Sequence, residues 1–468
     1  MFGLQIRYLS FFFGIISILS FFNIIYSYYL NLYLNLDTYY LTLFVSIIIS
    51  VILYKIKFKE IKQSIFDKIL TVFFGYIFIP IILAIPFYLS IYNLTFVDSF
   101  FEAISGFTST GFTIFENIKH VDQSLILWRS STQWVGGLYF LFSIIFLIDI
   151  YDENFKKTLT DFISFNSSEI SKQALKVLFL YSFLTLGIFI ILNLFSIRAF
   201  NSLNLAFSII SSGGFLPVND LSNIIRDNSQ IIVLSFLMLF SFLSIFFCFN
   251  LFNLKNRNIN FFYEDLHLII YYIFIVSIFF LFFSFNNDFL SNLFSISSSI
   301  SNIGFSIETD KSNLSFIFLI LVIIGGSFFS TSSGLRFIKV YSLFKYSMNQ
   351  ILSFSKPKNI FMNKLIFTKI NFDFEEINKY FLTIIVFIIS LFLLSTILTI
   401  SGIDFENSFK LSILTLMNTV NSSIYGIADF DFNNLQFFTK YILILFMIIG
   451  RIEMLTILLL LKKFLFKN

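Results

Sequence analysis

The chain has 468 residues, of which 57% are hydrophobic and 12% charged, with a mean hydropathy of +0.88 and a net charge of +4. No single soluble core could enclose that much apolar side chain, so the composition excludes a water-soluble domain and reads as an integral membrane protein. The apolar runs are continuous and longer than about 18 residues, which excludes the short alternating segments of a membrane β-barrel and leaves helices.

A single cysteine, Cys248, excludes an internal disulfide, and two scattered histidines, His120 and His267, are too few for a zinc site. Arg7 precedes a long apolar stretch with no small-residue cleavage pattern after it. That stretch is read as a retained first helix.

Taken in chain order, hydropathy predicts ten spans, at 8–29, 38–55, 68–92, 122–150, 174–197, 229–253, 264–285, 314–342, 377–401 and 436–462. Four further apolar pieces, 97–107, 201–210, 290–300 and 406–417, are too short to cross. Each ends at a loop rich in Gly, Ser, Thr or Asn: Phe107 to Thr113, Ser211 to Phe215, Ser301 to Phe305 and, more loosely, Asn418 to Ser422.

From residue 68 onward the order of long helix, short helix, loop and long helix recurs four times. With Gly111, Gly214, Gly304 and Asn421 taken as equivalent, the repeats are separated by 103, 90 and 117 residues. Self-similarity on this scale signals repeated structural units. The expected division is two additional N-terminal helices in 1–62, then repeats at 63–160, 161–258, 259–365 and 366–468.

Lysine and arginine set the expected orientation. With the N-terminus inside, ten spans leave 23 basic and 12 acidic residues on the inner side, against 7 and 14 outside. Both termini are therefore expected to be cytoplasmic. The outer acids cluster near the loops: Glu116, Asp122, Asp220, Glu308, Asp310, Asp404, Glu406, Asp429 and Asp431. They read either as a cation-concentrating vestibule or as the simple consequence of keeping basic residues inside.

Irregular backbone at membrane depth is tolerated where it lines a cavity or is buried in protein, because each unsatisfied amide there costs several kcal/mol. A short half-helix followed by such a loop points carbonyl oxygens, and the negative end of the helix dipole, at a cation. Glycine permits the backbone angles that turn successive carbonyls inward, and Thr and Ser add hydroxyl oxygens. Gly111, Gly214 and Gly304, each followed by Phe and preceded by Ser or Thr within three residues, fit a filter wall. No intramembrane Asp–Asp or His–Glu pair suggests catalysis, so an enzyme is not expected.

At Ser99 to Gly111 (SFFEAISGFTSTG), Leu127 to Arg129, Gln133 to Gly137, Ser330 to Gly334 after Gly325 and Gly326, and Gly450 to Glu453, the chain resembles the TrkH/KtrB/HKT superfamily of potassium transporters, in particular its TrkH-like branch. The resemblance implies an all-α polytopic membrane protein of about ten transmembrane helices. Four helix/pore-loop/helix repeats would surround one central pore. It implies K+ as the transported ion with no permanently bound cofactor, a bacterial plasma (inner) membrane location, homodimers in lipid, and a cytosolic TrkA-type ring of nucleotide-binding regulatory subunits. No G-x-G-x-x-G on a soluble βαβ unit is present to supply that ring from this chain, and nothing points to nucleic acid.

Carried over residue by residue, the resemblance gives filter positions Ser109, Thr110 and Gly111, then Ser212, Gly213 and Gly214, then Asn302, Ile303 and Gly304, then Thr419, Val420 and Asn421. An intramembrane gating loop is expected at Gly325, Gly326, Ser330, Thr331, Ser332, Ser333 and Gly334. The sequence agrees, since two glycines and a hydroxyl run break an apolar helix there, although close packing through small residues gives the same pattern. Phe329 and Ser333 stand where relatives carry glycine. Arg451, deep in the last span, is expected to form an electrostatic barrier below the filter; the other reading is a structural pairing with Glu453 or backbone carbonyls. Asn421 in place of the fourth glycine puts a sodium-preferring or poorly selective pore beside the potassium reading, and leaves channel or symport open.

Overall fold

The computed structural model describes residues 6–56, 65–147, 170–252, 263–283, 289–307, 314–354, 374–427 and 430–452, with 456, 458 and 459. All four domain boundaries drawn from the sequence fall outside these residues. So do Glu308, Asp310, Asp429, Glu453 and most of the lysines used to orient the chain.

Among the described residues the fold is helical, with one isolated bridge between Ile324 and Leu335. Helices α1 (Ile6–Tyr29) and α2 (Leu36–Lys55) stand outside the repeat and pack on each other. Tyr8 of α1 stacks on Phe146, and Asn23 donates to Ser124 O (3.0 Å), which fastens the pair to the first repeat.

Repeat one is α3 (Ile65–Leu83) with the short α4 (Ile85–Tyr88), α5 (Phe96–Phe107) and α6 (Gln123–Phe146). Repeat two is α7 (Ile170–Leu194), α8 (Ala199–Ser211), α9 (Asn228–Phe242) and α10 (Ile245–Phe252). Repeat three is α11 (Tyr263–Phe283), α12 (Phe289–Ile300), α13 (Ser315–Ile323) and α14 (Phe337–Ser353). Repeat four is α15 (Phe374–Ile400), α16 (Phe405–Leu416) and α17 (Phe437–Ile452). The short helices α5, α8, α12 and α16 run 12, 13, 12 and 12 residues. At 1.5 Å per residue each reaches about 18–20 Å, too short for a hydrocarbon layer of about 30 Å.

Packing between repeats is sequential and closed. The second long helix of each repeat lies against the short helix of the next: α6 on α8, α9 on α12, α13 on α16 and α17 back on α5. The four units therefore form a ring in chain order. Their outer surfaces are apolar, with Phe44 and Ile48 of α2, Phe274 and Leu281 of α11, and Ile388 and Phe392 of α15 exposed where lipid tails would lie.

Six helices are long and apolar enough to cross a membrane: the described parts of α1, α2, α3 with α4, α7, α11 and α15. The remaining four predicted spans are the second long helices of the repeats, and each departs from a plain apolar helix. Helix α6 is continuous and buried from Ser124 to Phe146, with Arg129, Thr132 and Gln133 along it. The span expected at 229–253 breaks between α9 and α10, where Leu243 is extended (ψ 160°). The carbonyls of Ser241 and Phe242 there accept from Ser332 and Ser327 N–H (3.0 Å each), and Ile245 N–H donates to Phe329 O (3.2 Å). The broken ends of α9 and α10 thus bond to the third repeat. The span expected at 314–342 is α13, an irregular loop from Ile324 to Arg336, and α14. Helix α17 is described to Ile452.

Candidate ion pathway

The four short helices end at the same place with the same backbone turn. One residue in each loop is left-handed: Ser109 (φ 57°), Ser212 (56°), Asn302 (58°) and Asn418 (47°). Its N–H donates to the carbonyl three residues back: Gly106, Ile209, Ser299 and Thr415. The next N–H, of Thr110, Gly213, Ile303 or Thr419, donates five residues back, to Ser105, Ser208, Ser298 or Leu414 O, at 2.7–3.1 Å. Left-handed geometry favours Asn among residues with a Cβ, and two of the four are Asn.

That common turn fixes the register. Two residues beyond each left-handed position stand Gly111 (φ 83°), Gly214, Gly304 (φ 80°) and Val420. The fourth loop is therefore displaced by one residue from the alignment expected on sequence. Asn418, Thr419 and Val420 match the other three triplets, and Asn421 matches Phe112, Phe215 and Phe305. The separation of the third and fourth repeats is 116 residues on this register rather than 117. The side chain of Asn421 turns away and donates to Ile427 O (3.2 Å).

Gly111, Gly214, Gly304 and Val420 come together. A Cβ placed on Gly111 would lie 2.8 Å from Gly214 Cα and 3.0 Å from Val420 Cβ, and one on Gly304 would lie 2.7 Å from Val420 Cγ1. These four residues floor a cavity of about 450 Å³, whose walls include Glu116, Asp220, Asp431, Asn421 and Arg129. Of the outer acids expected at a vestibule, those three line it. Glu406 instead pairs with Lys410 (2.6 Å), which holds its carboxyl below the usual range by hydrogen bonding and charge, and Asp404 precedes α16.

The loops are braced from behind. Buried Glu102 accepts from Arg129 Nε (2.8 Å), Thr113 Oγ1 (3.1 Å) and Ile114 N–H (3.0 Å), and Arg129 lies over the Phe215 ring at 4.2 Å. With its amide oxygen toward the second loop, Gln133 accepts from Gly214 N–H (3.0 Å) and Phe215 N–H (2.9 Å). Asn418 joins the fourth loop to Thr110 Oγ1 (3.0 Å) and to Met447 O of α17 (2.9 Å). Lys440 of α17 reaches Asp98 of α5 (2.6 Å) and links the fourth repeat back to the first.

Ile324 to Arg336 passes beneath these loops. Gly325 N–H donates to Leu335 O (2.8 Å), Leu335 N–H to Ile323 O (2.9 Å), and Gly326 N–H to Ser332 Oγ (2.9 Å). Gly325 and Gly326 are required by close approach. A Cβ on either would stand 2.1 Å from Ser333 O or 2.2 Å from Phe242 O. Thr331 Oγ1 donates to Ile210 O at the end of α8 (2.7 Å). Ser330 and Ser332 pack inside the loop, where Arg336 Nη1 donates to Ser327 O (2.9 Å), Ser330 Oγ (3.1 Å) and Ser332 O (3.1 Å). Gly334 takes φ 83°. The two departures from the family pattern have local uses: Phe329 packs on Phe246 (5.4 Å), and Ser333 is a partner of Arg451.

Arg451 is buried and spans the levels. It donates to Ser333 Oγ of the crossing loop, to Ser109 Oγ of the loop after α5 (3.2 Å) and to Ser211 O at the end of α8 (3.4 Å), and its guanidinium lies 4.0 Å from the Phe140 ring. The structure thus brings Arg451, the crossing loop and the ends of two short helices into one cluster.

Glu102, Arg129, Asp98, Lys440, Arg336, Glu264 and Asp265 take structural roles that the sequence pattern alone does not assign. Glu264 accepts from Phe328 N–H (3.1 Å), and Asp265 from Ser244 N–H (2.8 Å) at the start of α10. Both carboxylates therefore hold the broken segments of repeats two and three. Their charges in an otherwise apolar stretch are the signal that marks them.

No family model matches the chain. It is 26% identical over 392 residues to the Trk system potassium uptake protein TrkH of Escherichia coli, 79% of each chain, and 24% identical over 408 residues to an uncharacterized cation transporter of Methanocaldococcus jannaschii, 82% of this chain and 80% of that one. The crystal structure of the potassium transporter TrkH from Vibrio parahaemolyticus superposes with a TM-score of 0.83 at 19% identity, covering 97% of both chains. Over most of its length the chain is thus similar to TrkH potassium uptake proteins. The chain shares that fold and is a multi-pass helical membrane protein.

Proposed function

We propose that the chain is the pore-forming subunit of a potassium uptake system and passes K+ between the four loops that end α5, α8, α12 and α16. The observation that carries this reading is the convergence of four half-length helices, with one shared backbone turn, on a single ring beneath an acid-lined outer cavity. Dehydration would be offset by loop carbonyls, aided by the negative ends of four helix dipoles. Entry into a cell at negative potential is driven by about 2.3 kcal/mol per charge per 100 mV.

In this reading the filter is Ser109 to Gly111, Ser212 to Gly214, Asn302 to Gly304 and Asn418 to Val420. The crossing loop from Gly325 to Gly334 and the Arg451 guanidinium form the gate. The names of the TrkH relatives support potassium as the ion. The excess of basic residues on one side of the expected topology supports cytoplasmic termini; in this reading the membrane is a bacterial inner membrane, the assembly is a homodimer, and a separate TrkA-type nucleotide-binding ring docks on the basic face.

A second reading, a sodium-preferring or poorly selective pore, is favoured by one observation: three glycines and a valine, rather than four glycines, meet at the ring. The test is uptake of K+ and Na+ into proteoliposomes holding the purified protein and its cytosolic partner. Reversal potentials with K+ on one side and Na+ on the other separate the two readings. Absence of any monovalent cation flux refutes both.

A further inference from the structure

The side chain of Val420 lies across the axis of the ring. Because the repeats close in chain order, Gly111 and Gly304 are the neighbours of Val420 and Gly214 is its diagonal opposite. A Cβ built on Gly214 would stand 2.3 Å from Val420 Cβ and 2.8 Å from Val420 Cγ1, while Cβ atoms on Gly111 and Gly304 would stand 3.0 and 2.7 Å from the same side chain. A group on one wall of a ring that meets both neighbours and the diagonal member occupies the middle. Its position leaves the three bare glycine backbones facing an isopropyl group.

We propose that Val420 is an apolar constriction at the outer mouth of the filter, which sets the conductance of this pore and must move aside for an ion to pass. The inference rests on the pore reading given above. An alkyl group offers no oxygen to an ion losing its water, and a narrow apolar collar expels water from itself, so it closes without any charge. The rest of the mouth favours a hydrated cation: Glu116, Asp220 and Asp431 line the cavity directly above. Ions would gather there and wait on the valine. The loop that carries it is anchored at Asn418, two residues earlier, which is tied to Thr110 and to Met447.

The test uses the full-length protein in proteoliposomes with its cytosolic partner, followed by a thallium-sensitive fluorophore and by rubidium uptake. Val420→Gly, Val420→Ala and Val420→Leu are compared with the parent chain, each first shown to be monodisperse in detergent. The expected order of flux is Gly above Ala above the parent above Leu, with Val420→Gly at least tenfold faster than the parent. Alanine has no special backbone demand and serves if the glycine variant folds poorly. Conduction by the parent at a rate that the Gly and Ala variants do not exceed overturns the constriction and leaves the pore reading standing. Folded parent, Gly and Ala proteins that all fail to pass either ion overturn both.

Discussion

Glu102→Gln provides the sharpest test of how the first loop is held. Glu102 and Arg129 are 0% and 1% exposed, so neither charge has solvent to fall back on. The carboxylate accepts three hydrogen bonds, from Arg129 Nε, Thr113 Oγ1 and Ile114 N–H. A glutamine offers one oxygen and turns an NH2 group toward donors, so at least one of the three is lost. Arg129 keeps its charge with Thr113 Oγ1 at 3.0 Å and the Phe215 face as its remaining neighbours. Breaking one side of such a buried pair costs about 3–5 kcal/mol. Ile114 lies three residues past Gly111, so the loss is felt at the filter as well as in stability.

Equilibrium unfolding in mixed micelles, read by the emission of Trp128 and Trp134, measures the cost, because both tryptophans flank Arg129 on α6. Glu102→Gln and Arg129→Gln are each expected to lose about 3–5 kcal/mol. The double variant is expected to lose well under their sum, because it leaves no uncompensated charge. Additivity within about 0.5 kcal/mol, or single losses that small, would refute the buried-pair account.

Gly136→Ala and Gly450→Ala each place a Cβ against the end of a short helix, 1.9 Å from Phe107 O and 2.3 Å from Leu416 O. Overpacking against backbone costs about 1–3 kcal/mol or more, so both variants should show lower yields of folded protein and lower melting temperatures in detergent. Arg451→Gln removes the positive charge below the filter and is expected to raise cation flux about tenfold, the effect of about 1.4 kcal/mol on a barrier. A flux assay in which it merely lowers the yield of folded protein would make Arg451 structural. Asn421→Gly should leave the K+/Na+ reversal potential where it was, because Asn421 lies outside the ring.

Much of the plan was legible in the sequence, for reasons of length. A dozen apolar residues followed by Phe107 to Thr113 cannot cross a membrane, and three recurrences make a repeat. Three left-handed positions, Ser109, Ser212 and Asn302, sit two residues before a glycine and were aligned through it. The fourth has no glycine at all, so its alignment settled on Asn421, the next residue able to take a positive φ. The carbonyl pairing of Asn418 with Thr415 is a backbone fact and leaves no mark on residue identity. The break between α9 and α10 was hidden likewise. Neither Gly nor Pro stands at Leu243 or Ser244, and the helix ends there because Ser241 and Phe242 bond to a loop almost a hundred residues away. Gly325 and Gly326, by contrast, announced their loop, because close backbone approach must be met by glycine.

The two groups proposed to close the pathway both come from the fourth repeat. Within the ring the Val420 side chain lies within 3.0 Å of where a Cβ on Gly111, Gly214 or Gly304, one from each of the other three repeats, would stand. Below it Arg451 touches Ser109 of the first, Ser211 of the second and Ser333 of the third. A bond joins them, because Asn418 donates to Met447 O, one helical turn before Arg451. Side chain and guanidinium therefore ride on one connected piece of α16, loop and α17, and a displacement of that piece withdraws both together. The consequence is measurable in a cycle of Val420→Gly, Arg451→Gln and the double variant, each with and without Asn418→Ser. With Asn418 in place, one displacement relieves both constraints, so the logarithms of the two flux gains should fail to add. With Asn418→Ser the link to Met447 is cut and they should add. Additive gains in both backgrounds would mean that the two closures open independently.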